Sequence, residues 1–134
     1  MKIVFLSFIL FFACEFSFGQ TINNSAGDSL INTLKPGTSL EEFNKILNTD
    51  KYVLVDFYAD WCLPCRQLAP VIATIAQEMK DKAIVIRINQ DNNKLLMDAL
   101  KVYELPTILI YKNQTIKWTG IGFFGKEIIE EELK

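Results

Sequence analysis

"DFYADWCLPCR", residues 56–66, places two cysteines three positions apart at the end of the apolar run "YVLVDFYA". A continuous run of strand-forming residues is typical of a strand that is buried on both faces. The segment that follows, "RQLAPVIATIAQEMK", repeats apolar residues at helical spacing, with Pro70 inside the pattern, where a proline kinks a helix. The pattern therefore predicts a strand, a tight turn and a helix, with Cys62 near the helix start.

The cysteine pair could serve as a structural staple, a metal site or a redox centre. A disulfide that closes so short a loop stabilises by only about 2 kcal/mol in the loop-entropy model, which makes a staple a weak explanation. A structural zinc site needs four Cys or His ligands, whereas the chain has no histidine and only one further cysteine, Cys14. Redox chemistry is favoured, because backbone N–H groups and the dipole at a helix N-terminus stabilise the thiolate of Cys62. Cys65, one turn further, would then be the resolving thiol.

Neighbouring residues fit this interpretation. Pro64 suits the first helical turn, where its missing N–H would have no intrahelical partner. Trp61 beside the pair would shield one flank and offer an apolar contact surface.

The composition narrows the possible functions further. The chain has 134 residues, half of them hydrophobic, and 16 acidic residues against 14 basic ones. This length suits one domain. The net charge of −2 without a long basic run argues against a nucleic-acid partner. The absence of histidine excludes imidazole base catalysis and histidine metal ligation.

The first residues, "MKIVFLSFILFFACEFSFGQ", have the build of a secretory signal peptide over residues 1–19. A basic start precedes an apolar block, Ile3–Ala13, and small residues near Gly19 form the cleavage site. The block is well short of the roughly 20 residues that a spanning helix needs, so no stable membrane span is expected. Export to the periplasm or another extracytoplasmic space would permit disulfides. "FFAC" resembles a bacterial lipobox, so lipid anchoring through Cys14 is the alternative.

The remaining elements predict an α/β domain over residues 38–134, after a polar linker over residues 20–37 that contains a short edge strand near Leu30–Leu34. Ser39 and Glu42 form a capping box for a first helix. "AIVIRIN" is a second buried strand, "NKLLMDALKVY" an amphipathic helix and "KEIIEEELK" a last helix. "TILIYKNQTIKW" predicts a hairpin that turns at Asn113-Gln114. The order implies a mixed central sheet of four or five strands with helices on both faces.

"VDFYADWCLPC" resembles the thioredoxin-family motif "VDFWAxWCGPC", and the resemblance covers roughly Thr38 to Lys134, nearly the whole mature chain. It implies a thioredoxin-like fold. Leu63 departs from the usual glycine, which should alter the redox potential and the contact with partners. The other matching positions are the buried aspartate (Asp56), the helix-kinking proline (Pro70), the cis-proline loop (Leu105-Pro106-Thr107) and a glycine of the substrate-facing loop (Gly120).

The resemblance implies a thiol:disulfide oxidoreductase that acts on cysteine-containing proteins through a Cys62–Cys65 redox disulfide, and the predicted signal peptide makes it an exported one. It favours a reductant because of Pro64, with electrons supplied by an upstream dithiol protein. It implies a monomer without metal or organic cofactor. The alternatives are an oxidase or isomerase of the same fold, or a redox-inactive binding module. The residues expected to contact the substrate are Trp61, Leu63, Pro64, Leu105, Pro106 and Gly120.

Asp56 has two compatible interpretations. With the support of the family, it is a proton acceptor for Cys65, acting through water, and burial would raise its pKa for that task. It could also be a structural acid paired with Arg87 of the neighbouring strand.

Overall fold

The computed structural model describes residues 30–134, so the predicted signal peptide, Cys14 and the first part of the predicted linker lie outside the described residues. Within this range the chain forms a five-stranded mixed sheet with four α-helices. The elements are β1 (Ile31–Thr33), α1 (Leu40–Ile46), β2 (Tyr52–Tyr58), α2 (Leu63–Glu78), β3 (Ala83–Asn89), α3 (Lys94–Ala99), β4 (Thr107–Lys112), β5 (Thr115–Ile121) and α4 (Lys126–Glu131), with a 3-10 turn at Gln90–Asn92.

The sheet has the order β1-β3-β2-β4-β5, with β1, β3 and β2 parallel and β4 and β5 antiparallel to their neighbours. The predicted edge strand near Leu30–Leu34 is confirmed, because Ile31 of β1 lies opposite Val85 of β3. The sheet therefore extends into the segment that the sequence assigned to the linker.

Each face of the sheet carries its own core. Val53, Val55 and Phe57 of β2 pack in the cluster that includes Phe43 of α1, whereas Leu54 packs in the cluster that includes residues of α2 and α4. Because side chains alternate along a strand, Asp56 shares the α2 side of the sheet with Leu54. Burial of both faces explains why β2 is a continuous apolar run.

Local chemistry sets the helix and turn boundaries. The predicted capping box is confirmed: Ser39 Oγ accepts from the N–H of Glu42 at 3.1 Å, and Glu42 Oε2 accepts from the N–H of Ser39 at 2.9 Å. The predicted hairpin turn is also confirmed, with φ of 50° at Asn113 and 61° at Gln114, as a two-residue turn requires. Helix α3 ends before the predicted Tyr103, because Lys101 has a left-handed φ of 56°. Among the helices of residues 30–134, none has the length and apolar character needed to cross a membrane.

Candidate active site

The two cysteines of the motif lie where β2 gives way to α2. Cys62 is the N-cap of α2 and Pro64 lies in its first turn, which confirms the predicted position of Cys62 at the helix start. The two Sγ atoms form a disulfide of 2.03 Å, and the Cα atoms are 5.3 Å apart. The N–H of Cys65 donates to Cys62 Sγ at 3.3 Å. A backbone donor therefore already points at the sulfur that would carry charge as a thiolate.

The disulfide is buried, but its neighbours on the chain are exposed. Cys62 is 5% and Cys65 1% exposed, whereas Trp61 is 65% and Leu63 57% exposed. The Trp61 ring is held by a hydrogen bond from Nε1 to Asp91 Oδ2 at 3.0 Å. Sequence reasoning missed Asp91, because only the folded chain brings the 3-10 turn after β3 beside the motif. The two exposed side chains form an apolar rim next to Cys62.

The loop before β4 lies against the disulfide. The Leu105–Pro106 peptide bond is cis, as predicted from the resemblance. Leu105 packs on the buried cluster that contains Cys62 and Cys65. The carbonyl of Pro106 accepts from the N–H of Gly122 at 2.8 Å, so the segment after β5 closes this loop from the other side.

Gly120 lies within β5 and not in a loop, which corrects its expected position. A Cβ at Gly120 would lie 2.2 Å from Cη2 of Trp118 and 2.8 Å from Cε2 of Phe124, so close packing requires glycine here. The glycine beside Pro106 is Gly122, with a φ of +98°. The sequence "TGIG" contains both glycines, and nothing in it indicates which one adjoins the cis-proline loop.

Asp56 is fully buried and lies opposite Arg87 in β3 and Ile108 in β4. Arg87 Nε donates to Asp56 Oδ2 at 2.8 Å, which confirms the predicted pairing. Among residues 30–134, Asp56 Oδ1 has no hydrogen-bond partner. Burial raises the pKa of Asp56, and the charge and hydrogen bond of Arg87 offset part of that rise. The proton-accepting role of Asp56 stays a prediction.

A cavity of about 260 Å³ lies behind the disulfide and connects Cys65 with Arg87. Its volume exceeds the ~30 Å³ that one water occupies in the liquid, and its charged lining offers hydrogen bonds to water. Water in the cavity would therefore reach both Cys65 and Arg87, whose Nε binds Asp56, while the Asp56 carboxyl itself is not among the residues that line the cavity. The cavity is lined by Tyr58, Ala59, Asp60, Cys65, Arg66, Ala69 and Arg87.

In the part of the chain that the structure describes, no cluster of three or more His, Cys, Asp or Glu side chains is arranged to hold a metal ion. The chemistry available at the site is that of the two sulfurs, the buried carboxyl and the surrounding apolar surface.

Comparisons with known proteins agree with this geometry. Residues 36–134 match the family model described as Thioredoxin. A thioredoxin from Rickettsia typhi is 39% identical over 90 residues, which cover 67% of this chain and 86% of the relative. A thioredoxin from Bacillus subtilis is 39% identical over 79 residues, or 59% of this chain and 76% of the relative. The solved structure of a mutant thioredoxin from Halobacterium salinarum is 28% identical, with a TM-score of 0.67 over 76% of this chain and 88% of that one.

Proposed function

The chain belongs to the thioredoxin family of thiol:disulfide oxidoreductases, and on that premise we propose that it reduces disulfide bonds of exported proteins. The observation that carries the proposal is the Cys62–Cys65 disulfide at the start of α2, beside the cis Leu105–Pro106 loop. A helix start favours the thiolate of Cys62, and a neighbouring cysteine allows a mixed disulfide to be resolved within the chain.

The exchange begins with both cysteines reduced. The thiolate of Cys62 attacks one sulfur of a substrate disulfide, forms a mixed disulfide and releases the other substrate sulfur as a thiolate. Cys65 then loses its proton and attacks Cys62 Sγ, which forms the Cys62–Cys65 bond and releases the second substrate thiolate. We assign the proton of Cys65 to Asp56, relayed through water in the cavity that Cys65 and Arg87 line, because burial raises the pKa of Asp56. One substrate disulfide is reduced for each Cys62–Cys65 bond formed.

Substrate binding falls to the surface around Cys62. Trp61, Leu63 and Pro64 would contact apolar side chains that flank the substrate cysteine, and the exposure of Trp61 and Leu63 supports this role. Leu105 and Pro106 would lie along the extended substrate chain. Gly120 is buried, so its contribution to binding would be indirect: its lack of a side chain leaves space for the Trp118 and Phe124 rings beside β5.

The direction of electron flow is tested by the reduction potential of the Cys62–Cys65 couple, measured against glutathione buffers. We expect a value nearer the about −270 mV of reducing thioredoxins than the about −120 mV of a strong oxidant. Leu63→Gly, measured in parallel, reports how far the Leu63 departure shifts the potential. A value near −120 mV would assign the oxidase alternative, and a pair that never exchanges with glutathione would assign the redox-inactive one.

The cellular setting is a separate part of the proposal. The apolar start supports cleavage after residue 19 and action outside the cytoplasm, as a monomer that receives electrons from a dithiol protein. Intact-mass analysis of protein purified from the producing cell tests it. A mature chain that begins at Gln20 is expected, and a lipid-modified chain that begins at Cys14 would assign the anchored alternative.

A further inference from the structure

The guanidinium of Arg87 is held at two points on the α2 side of the sheet. Its Cζ lies 3.9 Å from the centroid of the Tyr58 ring, and its Nε donates to Asp56 Oδ2 at 2.8 Å. Tyr58 and Asp56 are two residues apart on β2 and therefore project from the same face, and Asp56 lies opposite Arg87 in the register with β3. The ring thus covers the face of the guanidinium while the carboxylate binds its edge.

The contact with Tyr58 restricts the Arg87 side chain, which could otherwise adopt other conformations. Arg87 is 19% exposed and lines the cavity behind Cys65, so its guanidinium could turn towards water. An arginine side chain carries about 2 kcal/mol of rotamer entropy, which opposes any single fixed position. Stacking on an aromatic face is a recognised way to fix the plane of a guanidinium.

We propose that Tyr58 is a positioning residue that holds the Arg87 guanidinium against Asp56 and so keeps this buried carboxyl paired with a cation. The inference rests on the proposed function for its kinetic consequence, since Asp56 is there the proton acceptor for Cys65. Tyr58 packs on the buried cluster that contains Cys62 and Cys65, but it exchanges neither a proton nor a sulfur bond in this scheme. Its effect passes through Arg87.

Among the charged and titratable groups that the structure describes around Asp56, Arg87 is the one that binds its carboxylate directly. On the α2 side, Cys65 and Arg66 line the cavity, and Asp60 of the β2–α2 loop lines it as well. Asp60 Oδ2 accepts from Asn89 Nδ2 at 3.4 Å, which turns that carboxylate towards β3. Ile108, which faces Asp56 from β4, is apolar. Arg87 lowers the Asp56 pKa through its charge and its hydrogen bond, so a loosened Arg87 must let that pKa rise.

The test compares Tyr58→Leu, which removes the aromatic face, with Tyr58→Phe, which retains it and lacks only the hydroxyl. Tyr52→Leu is the matched control, because Tyr52 stacks with Lys112 Nζ at 4.5 Å at the other end of the same strand. The carboxyl carbon of Asp56 is followed by NMR against pH in the oxidised protein, with assignment by loss of the signal in Asp56→Asn. The rate of mixed-disulfide resolution is followed over the same pH range.

We expect Tyr58→Leu to raise the Asp56 titration midpoint by about half a unit to one unit, with Tyr58→Phe and Tyr52→Leu within about 0.2 units of the parent. Tyr58→Met, which is long and apolar but has no π face, should reproduce the shift of Tyr58→Leu. An unchanged Asp56 midpoint in both Tyr58→Leu and Tyr58→Met would overturn the proposal. A Tyr58→Phe midpoint shifted as far as that of Tyr58→Leu would also overturn it. A midpoint that moves while the rate profile stays fixed would support the positioning role and refute the proton-accepting role of Asp56.

Discussion

Replacing Asp56 by asparagine should stabilise the oxidised protein while it slows disulfide exchange. Asp56 is fully exposed to water in the unfolded chain and fully buried in the fold, so ionisation is harder in the folded state. A carboxyl whose folded pKa is raised contributes full stability below its unfolded pKa, and this contribution is lost as pH rises through the folded pKa. Asparagine has no such loss. The advantage of Asp56→Asn should therefore grow from about pH 4 upwards.

The size of the effect follows from three contributions. Each pKa unit of upward shift corresponds to about 1.4 kcal/mol above the folded pKa. Loss of the carboxylate leaves Arg87 without its charge partner, which offsets part of this gain, although less than for a fully buried cation because Arg87 is 19% exposed and borders the cavity. The amide can still accept from Arg87 Nε, while its NH₂ takes the place of Oδ1, which has no partner among the described residues. We expect a net gain in stability at neutral pH, and each kcal/mol gained would raise the Tm by about 4–8 °C.

Thermal melts of the oxidised forms between about pH 4 and about pH 8 measure this gain. Asp98→Asn is the matched control, because it makes the same chemical change at an exposed aspartate of α3 that does not line the cavity beside Cys65. The resolving step of Asp56→Asn should be slower by about 100-fold near neutral pH, the lower end of the range for a general base. A variant that melts several degrees lower and resolves at the parent rate would make Asp56 a structural partner of Arg87.

Three further predictions address other parts of the chain. Cys65→Ser should accumulate mixed disulfides through Cys62, seen on non-reducing gels, and better trapping by Cys62→Ser would reverse the two roles. Gly120→Ala should lose about 1–3 kcal/mol in urea denaturation, because its Cβ would lie 2.2 Å from an aromatic carbon. Gly125→Ala, with 3.5 Å to its nearest neighbour, should lose less than Gly120→Ala, with only the poorer N-cap of α4 to destabilise it, and equal losses would contradict the packing argument. Burial raises the pKa of Tyr111 to about 12, so its contribution to stability is complete below about pH 10 and is lost as pH rises through about 12. Ultraviolet titration should detect this late ionisation, which Tyr111→Phe removes; a tyrosine titration complete near pH 10 would refute it.

Local patterns were sufficient to predict the elements that carry the motif. The apolar run of β2 and the apolar spacing of α2 define a strand–turn–helix unit, and this unit fixes Cys62 at the helix start. The pairing of Asp56 with Arg87 was also predictable, because a buried carboxylate needs a cation and β3 offers one. The cis bond at Pro106 followed only from the family resemblance, since most X-Pro bonds are trans.

Contacts that depend on strand register and loop closure could not be predicted from the sequence. The stacking of Tyr58 on Arg87 requires the parallel register of β2 with β3, which no local pattern encodes. The hydrogen bond between Trp61 and Asp91 joins residues that only the fold brings together. Gly122 adjoins Pro106 because of where β5 ends, so its sequence neighbour Gly120 was an equally reasonable choice.

The most direct test of the redox assignment is a single-turnover reaction between the reduced protein and a protein substrate that contains one disulfide. Thiols are alkylated at successive times and counted by mass spectrometry. We expect one substrate disulfide to disappear for each Cys62–Cys65 bond that forms, with no exchange in a Cys62→Ser control. Substrate disulfides that persist while Cys62 and Cys65 stay reduced would contradict the assignment of this pair as the redox centre.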